Sequence, residues 1–221
     1  MKKLLPLVLL LLSISALAQG NRADSLLLEG SRAYETSDFQ LAKEKFEALL
    51  QLDSTSSDAH FNLGASLLSL NQLPEACRAL HRAYALGDEG AYNLIVQCCG
   101  ELPYTEKMFS WHVDELPQFS SHGEFLPLIP DKKSGIHPDF LKLLRSEMKK
   151  SPSLKKFRGK IYLLWTVDIH GQLQAEVKGA SPEINQEFLA LLQRLTQYRP
   201  ASYKGRPVGL WSKFALPMTI N

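Results

Sequence analysis

The N-terminal half of the chain repeats itself with a period of 34 residues. A shift of this size places Gly30 on Gly64 and Ala42 on Ala76, and it also superposes Leu26 on His60, Phe39 on Leu73, Phe46 on Leu80 and Leu52 on Leu86. Such a period is typical of helical hairpins that stack on one another, because one hairpin alone cannot bury its apolar face. Glycine and alanine at matched positions allow antiparallel helices to approach closely.

The repeat predicts helices over residues 24–35, 39–52, 58–70 and 73–86, with a capping helix over 91–99. The repeat length, the small residues and the aromatic or Leu residue before each second helix resemble tetratricopeptide repeats. The resemblance implies a peptide-binding groove along the first helices of the two hairpins, lined by Leu27, Ser31, Tyr34, Phe61, Ala65 and Leu68. The groove is either free or packed on a second domain.

Residues 1–18 have the features of a secretory signal peptide. Two lysines precede an apolar run, and Ala16-Leu17-Ala18 has the small residues that signal peptidase requires. The apolar stretch 4–18 has 15 residues, fewer than the roughly 20 of a membrane-spanning helix. We therefore expect cleavage before Gln19 and a periplasmic protein, with an uncleaved membrane anchor as the alternative.

Three cysteines leave at least one thiol unpaired in a monomer. Cys98 and Cys99 are adjacent in a stretch with helical character, so their side chains point in different directions. Buried structural thiols are the favoured interpretation. The alternative is a disulfide from Cys77 to either Cys98 or Cys99.

The charges of the two halves are opposite in sign. Residues 19–130 contain 7 Lys and Arg against 16 Asp and Glu, a net charge of 7 − 16 = −9, and residues 131–221 contain 16 against 7, a net charge of +9. The whole-chain balance argues against a nucleic-acid binder with a large basic surface. The segregation indicates two domains, either with separately solvated surfaces or with a basic half that meets an anionic component of the cell envelope.

The segment 100–136 is a linker punctuated by Pro and Gly. It carries too many aromatic residues for a freely solvated tether, so we expect much of it to lie against one or both domains. The region 137–221 begins with a helix from His137-Pro138-Asp139 to Lys150.

Alternating apolar residues then predict a strand over 159–168, a turn at Gly171 and a returning strand over 173–177. Ser181-Pro182 begins an amphipathic helix, and a closing strand runs from Val208 to Leu216. The fold class is thus a helical-hairpin stack followed by a small β-β-α-β domain with a three-stranded antiparallel sheet. The first strand is central and the closing strand lies at the edge.

The second domain is similar to the C-terminal domain of TonB energy transducers. The similarity rests on Gly159, Val167-Asp168-x-x-Gly171, Tyr198-Arg199-Pro200-Ala201, Gly205-x-Pro207-Val208 and Leu216-Pro217, together with the upstream segment Glu115-Leu116-Pro117-Gln118-Phe119. It implies that the closing strand pairs with an extended segment of an outer-membrane transporter. By position, the binding residues are Val208, Leu210, Trp211, Ser212, Phe214 and Leu216.

The sequence contains no HExxH, GxSxG, GxxxxGK[ST] or GxGxxG motif that would indicate a catalytic, metal or nucleotide site. We expect no enzyme activity, no cofactor, no nucleic-acid partner and no small-molecule substrate. The leading hypothesis is an exported adaptor of the bacterial cell envelope that binds an extended protein segment, with a second partner on the repeats. The alternatives are a membrane-anchored transducer of the TonB type and a hydrolase with an unrecognised site.

Overall fold

The computed structural model describes residues 5–130 and 135–220, with side chains from residue 20 onward. It divides the chain into two compact units, Met1–Pro103 and Tyr104–Asn221. The first is helical and the second contains both helices and strands, so the chain is a mixed α and β protein. Within the described ranges, no helix is both long and apolar enough to cross a membrane.

The first unit, called the helical unit below, is a stack in which each helix packs on the one before it. Its elements are α1 (Leu5–Glu35), α2 (Phe39–Leu52), α3 (Ser57–Ser69), α4 (Leu73–Ala85) and α5 (Ala91–Leu94), followed by a π-helical turn (Ile95–Cys99). The predicted ends of α2, α3 and α4 and the predicted end of α1 agree to within one residue, and the predicted capping helix over 91–99 consists of α5 and the π-helical turn. The predicted start of α1 at residue 24 differs from the observed start at Leu5. Residues 1–4 of the predicted signal peptide lie outside the described residues, and 5–18 belong to α1.

The turns within the two hairpins repeat the same backbone geometry. Ser37 and Asn71 have positive φ values of 64° and 59°, and they are separated by 71 − 37 = 34 residues. In each turn the N–H of this residue bonds a carbonyl three residues earlier, and the next N–H bonds a carbonyl five residues earlier. These bonds satisfy carbonyl groups that a helix end leaves unpaired.

The predicted close approach of the helices is confirmed at both glycines. A Cβ atom on Gly30 would lie 2.7 Å from the ring of Phe46, and one on Gly64 would lie 2.7 Å from Cγ of Leu80. Phe46 and Leu80 are themselves related by the shift of 34 residues. The helical unit therefore contains the same contact twice.

The favoured interpretation of the cysteines as buried thiols is wrong. Cys77 on α4 forms a disulfide with Cys99, and Cys98 is free and exposed. Cys99 follows the fully buried Ile95 by four residues, so both side chains lie on the helix face directed toward α4. The neighbouring Cys98 is consequently directed away.

The second unit is called the mixed unit. Its elements are β1 (Lys107–Met108), β2 (Gln118–Ser121), β3 (Glu124–Pro127), α6 (Pro138–Met148), α7 (Pro152–Lys156), β4 (Gly159–Val167), β5 (Leu173–Lys178), α8 (Pro182–Arg194), β6 (Tyr198–Arg199), β7 (Ala201–Tyr203), β8 (Arg206–Leu210) and β9 (Phe214–Ile220). The described strands form three sheets, in the orders β5-β4-β9, β3-β2-β6 and β1-β8-β7. Pairing is antiparallel except between β1 and β8.

The mixed unit begins earlier in the chain than the sequence indicated. Strands β1, β2 and β3 lie in the segment 100–136, which was predicted to be a linker. Phe119 and Leu128 are fully buried in the same core as Phe140 and Phe188. Strands of two to four residues separated by prolines are too short to produce a recognisable alternation.

The sheet β5-β4-β9 has the predicted strand order, with β4 central and β9 at one edge. Ile161, Leu163, Trp165 and Val167 of β4 are buried and face the core that α8 covers. Ser181 is the N-cap of α8, and its Oγ accepts a hydrogen bond from Ile184 N–H, as the Ser-Pro pair predicted.

The predicted single closing strand from Val208 to Leu216 is wrong, because the chain bends after Leu210 and forms two strands. Val208 and Leu210 are buried on β8, which lies between β1 and β7. Phe214 and Leu216 lie on β9 in a different sheet. The apolar residues on the two sides of the bend keep the same alternation and only Ser212 interrupts it, so periodicity alone does not reveal the bend.

Candidate functional site: the open edge of strand β9

Strand β9 has one open edge within the described residues. It pairs with β4 from Phe214, opposite Trp165, to Ile220, opposite Gly159, and with no other described strand. The backbone groups on its outer side therefore have no strand to pair with. Such an edge is a template for the addition of an extended chain.

A single hydrogen bond determines which residues of β9 face outward. Asp168 N–H donates to Gln172 O over 2.9 Å, continuing the ladder between β4 and β5. In an antiparallel ladder, alternate residues direct both backbone groups to the same neighbour. The even-numbered residues of β4 thus pair with β5, and its odd-numbered residues bond Phe214, Leu216, Met218 and Ile220 of β9.

The residues of β9 that direct their backbone outward are consequently Ala215, Pro217 and Thr219. Together they present two N–H donors and three carbonyl acceptors, because Pro217 has no N–H. Proline is tolerated here, since the ladder with β4 requires no donor at this position. It also makes uncontrolled pairing between edges less favourable.

The side chains of β9 anchor this open edge. Phe214, Leu216, Met218 and Ile220 are half-buried against the core, and the ring of Phe214 lies 5.0 Å from that of Trp165. The side chains of the outward-directed residues lie on the opposite face and are exposed. The edge is therefore held on a packed sheet.

An exposed aromatic residue flanks the edge on its solvent face. Tyr162 of β4 lies directly across from Pro217 and is 53% exposed. Leu164, opposite Ala215, is half-buried on the same face. Tyr162, Ala215 and Thr219 were not among the residues predicted for this site. The sequence contains one signal for the outward-directed residues. A proline in an edge strand lies where its missing N–H is not needed, so Pro217 indicates that the residues two positions before and after it also direct their backbone outward.

Of the six predicted edge residues, the structure places only Phe214 and Leu216 on β9, and their backbone groups pair with β4 and not with the open side. Val208, Leu210 and Trp211 stabilise the sheet of β8 instead. Trp211 N–H donates to Met108 O, and Lys107 Nζ lies 4.9 Å from the centre of its indole ring. Ser212 is exposed in the bend before β9.

The six predicted groove residues are mostly half-buried. Leu27 and Leu68 pack against the helical core, Ser31 Oγ donates to Leu27 O, and Tyr34 makes an edge contact with Phe39 at 5.3 Å. Phe61 and Ala65 are also half-buried on α3. A cavity of about 300 Å³ in this unit is lined by other residues of α3, namely His60, Leu63 and Leu67.

Burial lowers the pKa of His60 and of His81. Nε2 of His81 is buried without a hydrogen-bond partner among the described residues. Both rings are therefore less readily protonated than a solvated histidine. Within residues 5–130 and 135–220, no group of three His, Cys, Asp or Glu is placed to hold a metal ion.

Asp168 organises the turn between β4 and β5. Its Oδ1 accepts the N–H groups of His170 and Gln172, and its Oδ2 accepts Gln174 Nε2. Partial burial acts to raise the pKa of Asp168, but these hydrogen bonds outweigh it and the pKa lies below its ordinary value. The Asp168 carboxylate therefore stabilises the conformation of the turn that joins β4 to β5.

No model of a known protein family matches the chain, and no curated protein resembles it at a significant level.

Proposed function

We propose that the chain is an exported, non-enzymatic adaptor that binds an extended protein segment by strand addition to β9. The observation that carries the proposal is the outer edge of β9, with its donors at Ala215 and Thr219. In this mode of recognition, main-chain hydrogen bonds provide affinity and neighbouring side chains provide selectivity.

The packing of β9 favours this function on energetic grounds. An edge whose apolar side chains already pack on the core loses little conformational entropy when a partner is added. Tyr162, exposed beside the edge, offers an aromatic surface to the side chains of the added segment. The edge can therefore accept an extended segment that has no fixed structure of its own.

The finer assignments belong to the same proposal. The mixed unit is a β-β-α-β domain similar to the TonB C-terminal domain, and the helical unit is a pair of tetratricopeptide-like repeats. The partner is then a segment of an outer-membrane transporter or of another envelope protein. The periplasmic location rests on residues 1–18, and sequencing the N-terminus of the mature protein tests it. A chain that begins at Gln19 supports the adaptor, and an intact Met1 supports an anchored transducer.

The helical unit supplies a place for a second protein partner. The predicted groove residues of α3, Phe61, Ala65 and Leu68, are apolar and only half-buried. A short stack of helices presents such residues as a shallow surface for an apolar peptide. Replacing Phe61 by Asp weakens that contact in this proposal without affecting the edge of β9.

The test of strand addition uses a capped peptide of about eight alternating Thr and Val residues, because pairing through the backbone tolerates many sequences. Ala215→Pro and Thr219→Pro each remove one outward N–H and leave the ladder with β4 intact. We expect each to weaken binding to the full chain several-fold, and the double variant to abolish it. Phe61→Asp is the matched control and binds as the unmodified chain does. Undiminished binding by the double variant contradicts the proposal.

A further inference from the structure

A cavity lined largely by basic and apolar side chains lies at the C-terminal end of β9. Its volume is about 570 Å³, and Thr219 and Ile220 form one side of it. Arg145 and Lys149, at the end of α6, and Lys155 and Arg158, at the end of α7, supply four positive charges around it. We call it the cationic cavity.

The four cations are not neutralised within the part of the chain that the structure describes, where none of them forms an ion pair. In the same stretch of chain, Asp139 pairs with Lys142 and Glu147 with Lys150, and Glu187 of α8 accepts hydrogen bonds from Ser151 and Ser153 at the start of α7. From 139 to 160 the chain carries 8 Lys and Arg against 2 Asp and Glu, a net charge of 8 − 2 = +6. Four of the eight basic residues of this stretch, Arg145, Lys149, Lys155 and Arg158, line the cavity.

One of the cations is held in position by the backbone. Arg158 Nη1 donates to the carbonyls of Lys155 and Phe157 over 2.9 and 2.8 Å. Its remaining N–H groups are available to a planar anion such as a carboxylate. Basic residues commonly end helices because they oppose the helix dipole. That tendency does not account for the meeting of two such helix ends at one cavity.

The floor of the cationic cavity is apolar. Met148 and Leu154 are buried in the core, and Ile220 packs against it. Such a floor can cover the methylene groups of a glutamate or a neighbouring apolar side chain. Charge-assisted hydrogen bonds to the cations above it are strengthened by the partial exclusion of water.

We infer that the cationic cavity binds acidic residues at one end of the extended segment that adds to β9. The inference rests on the proposed function, because Thr219 both carries the last outward N–H of the edge and lines the cavity. A chain paired along the edge therefore continues directly into a site that favours carboxylates. This continuity favours an acidic peptide over a lipid surface as the occupant.

The experiment compares three capped peptides with the same alternating Thr and Val core. One carries two Glu residues before the core, one carries two Glu residues after it, and one carries Gln in their place. Binding to the full chain is measured at low and high salt. We expect one of the Glu peptides to bind about tenfold more tightly than the Gln peptide at low salt, and the difference to diminish at high salt.

Protein variants identify the site. Lys149→Gln with Arg158→Gln should remove most of the preference for Glu and leave the affinity for the Gln peptide unchanged. The control is Lys156→Gln with Arg194→Gln, which changes the charge equally at residues that do not line the cavity. The control should retain the preference.

The outcomes separate this inference from the proposed function. If all three peptides bind equally and Ala215→Pro with Thr219→Pro abolishes their binding, the cationic cavity is not a carboxylate site. Strand addition is then still supported. A preference for Glu that persists in that double proline variant overturns strand addition as the basis of the inference. Phosphatidylglycerol vesicles are tested in parallel. Binding to them that depends on Lys149 and Arg158, without any preference among the peptides, overturns the inference in favour of a lipid surface.

Discussion

The two units of this chain are built by opposite strategies. The helical unit forms contacts between neighbouring helices and uses one of them twice, at Gly30 with Phe46 and at Gly64 with Leu80. The mixed unit joins distant segments, such as Lys107 of β1 with Gly209 of β8, which are 209 − 107 = 102 residues apart. The comparison teaches that repetition stabilises the first unit, whereas the second gains an open edge from strands that are assembled across the chain.

The largest expected effect tests the tight packing of the helical unit. Ala76 is completely buried between helices, and Ala76→Trp adds far more volume than the extra methylenes that typically cost about 1 to 3 kcal/mol in a core. We expect the helical unit to unfold in urea at a much lower concentration. The mixed unit should keep its own transition, because its core is separate. An unchanged denaturation curve would contradict the stacked arrangement.

Two single proline substitutions at adjacent positions test the backbone orientation of β9. Leu216→Pro removes an N–H that pairs with β4 and leaves its acceptor on β4 unpaired, so we expect a loss of about 1 to 3 kcal/mol in the stability of the mixed unit. Ala215→Pro removes an outward N–H that the ladder does not use, and it should change stability by less than about 1 kcal/mol. Urea denaturation of both variants provides the measurement. Equal losses in the two variants would mean that the assigned orientation is incorrect.

The disulfide provides a perturbation confined to the helical unit. Cys77 and Cys99 are separated by 22 residues, and closing a loop of this size stabilises a protein by about 3 kcal/mol in the chain-entropy model. Cys77→Ala with Cys99→Ala should therefore lower the thermal midpoint of the helical unit and leave that of the mixed unit unchanged. Cys98→Ser, which removes the exposed thiol, is the control and should have no effect.

Lowering the pH should affect the stability of the two units differently, and this is the smallest of the expected effects. Burial lowers the folded-state pKa of His81 and His60 below the unfolded value of about 6.5, so the unfolded chain takes up protons first. The stability of the helical unit should fall as the pH drops through about 6.5. The pKa of Asp168 is lowered, so its contribution to the mixed unit persists until the pH falls below about 4. Urea denaturation at several pH values, with His81→Gln as the control, measures the difference.

The helical unit could be predicted closely because its signals are local. The starts of α2 and α3 are encoded by N-cap residues, since the side chain of Asp38 accepts a hydrogen bond from Leu41 N–H and that of Ser56 accepts one from Ala59 N–H. The pairing of Cys77 with Cys99 could not be obtained in this way, because it depends on which face of the last helical turn is buried. That face is determined by the packing of Ile95.

The mixed unit could be predicted only where an element is long enough to show a period. The strands β4 and β5 and the helix α8 were found on that basis, whereas β1, β2 and β3 were not. The bend at Ser212 was missed because β8 and β9 share one alternation, and their separation depends on β1 pairing with β8. Of the residues predicted for the candidate site, only Phe214 and Leu216 lie on β9. The outward direction of Ala215, Pro217 and Thr219 follows from the register of β9 with β4, which the sequence alone does not provide.

Amide hydrogen exchange at the edge of β9 tests the central claim most directly. In the free chain, the N–H groups of Ala215 and Thr219 should exchange rapidly because they face solvent, while those of Leu216 and Met218 should be protected by the ladder with β4. Saturation with the alternating Thr and Val peptide should slow exchange at Ala215 and Thr219 and change the other two little. Protection of Ala215 and Thr219 in the free chain, or exchange that the bound peptide does not slow, would contradict strand addition.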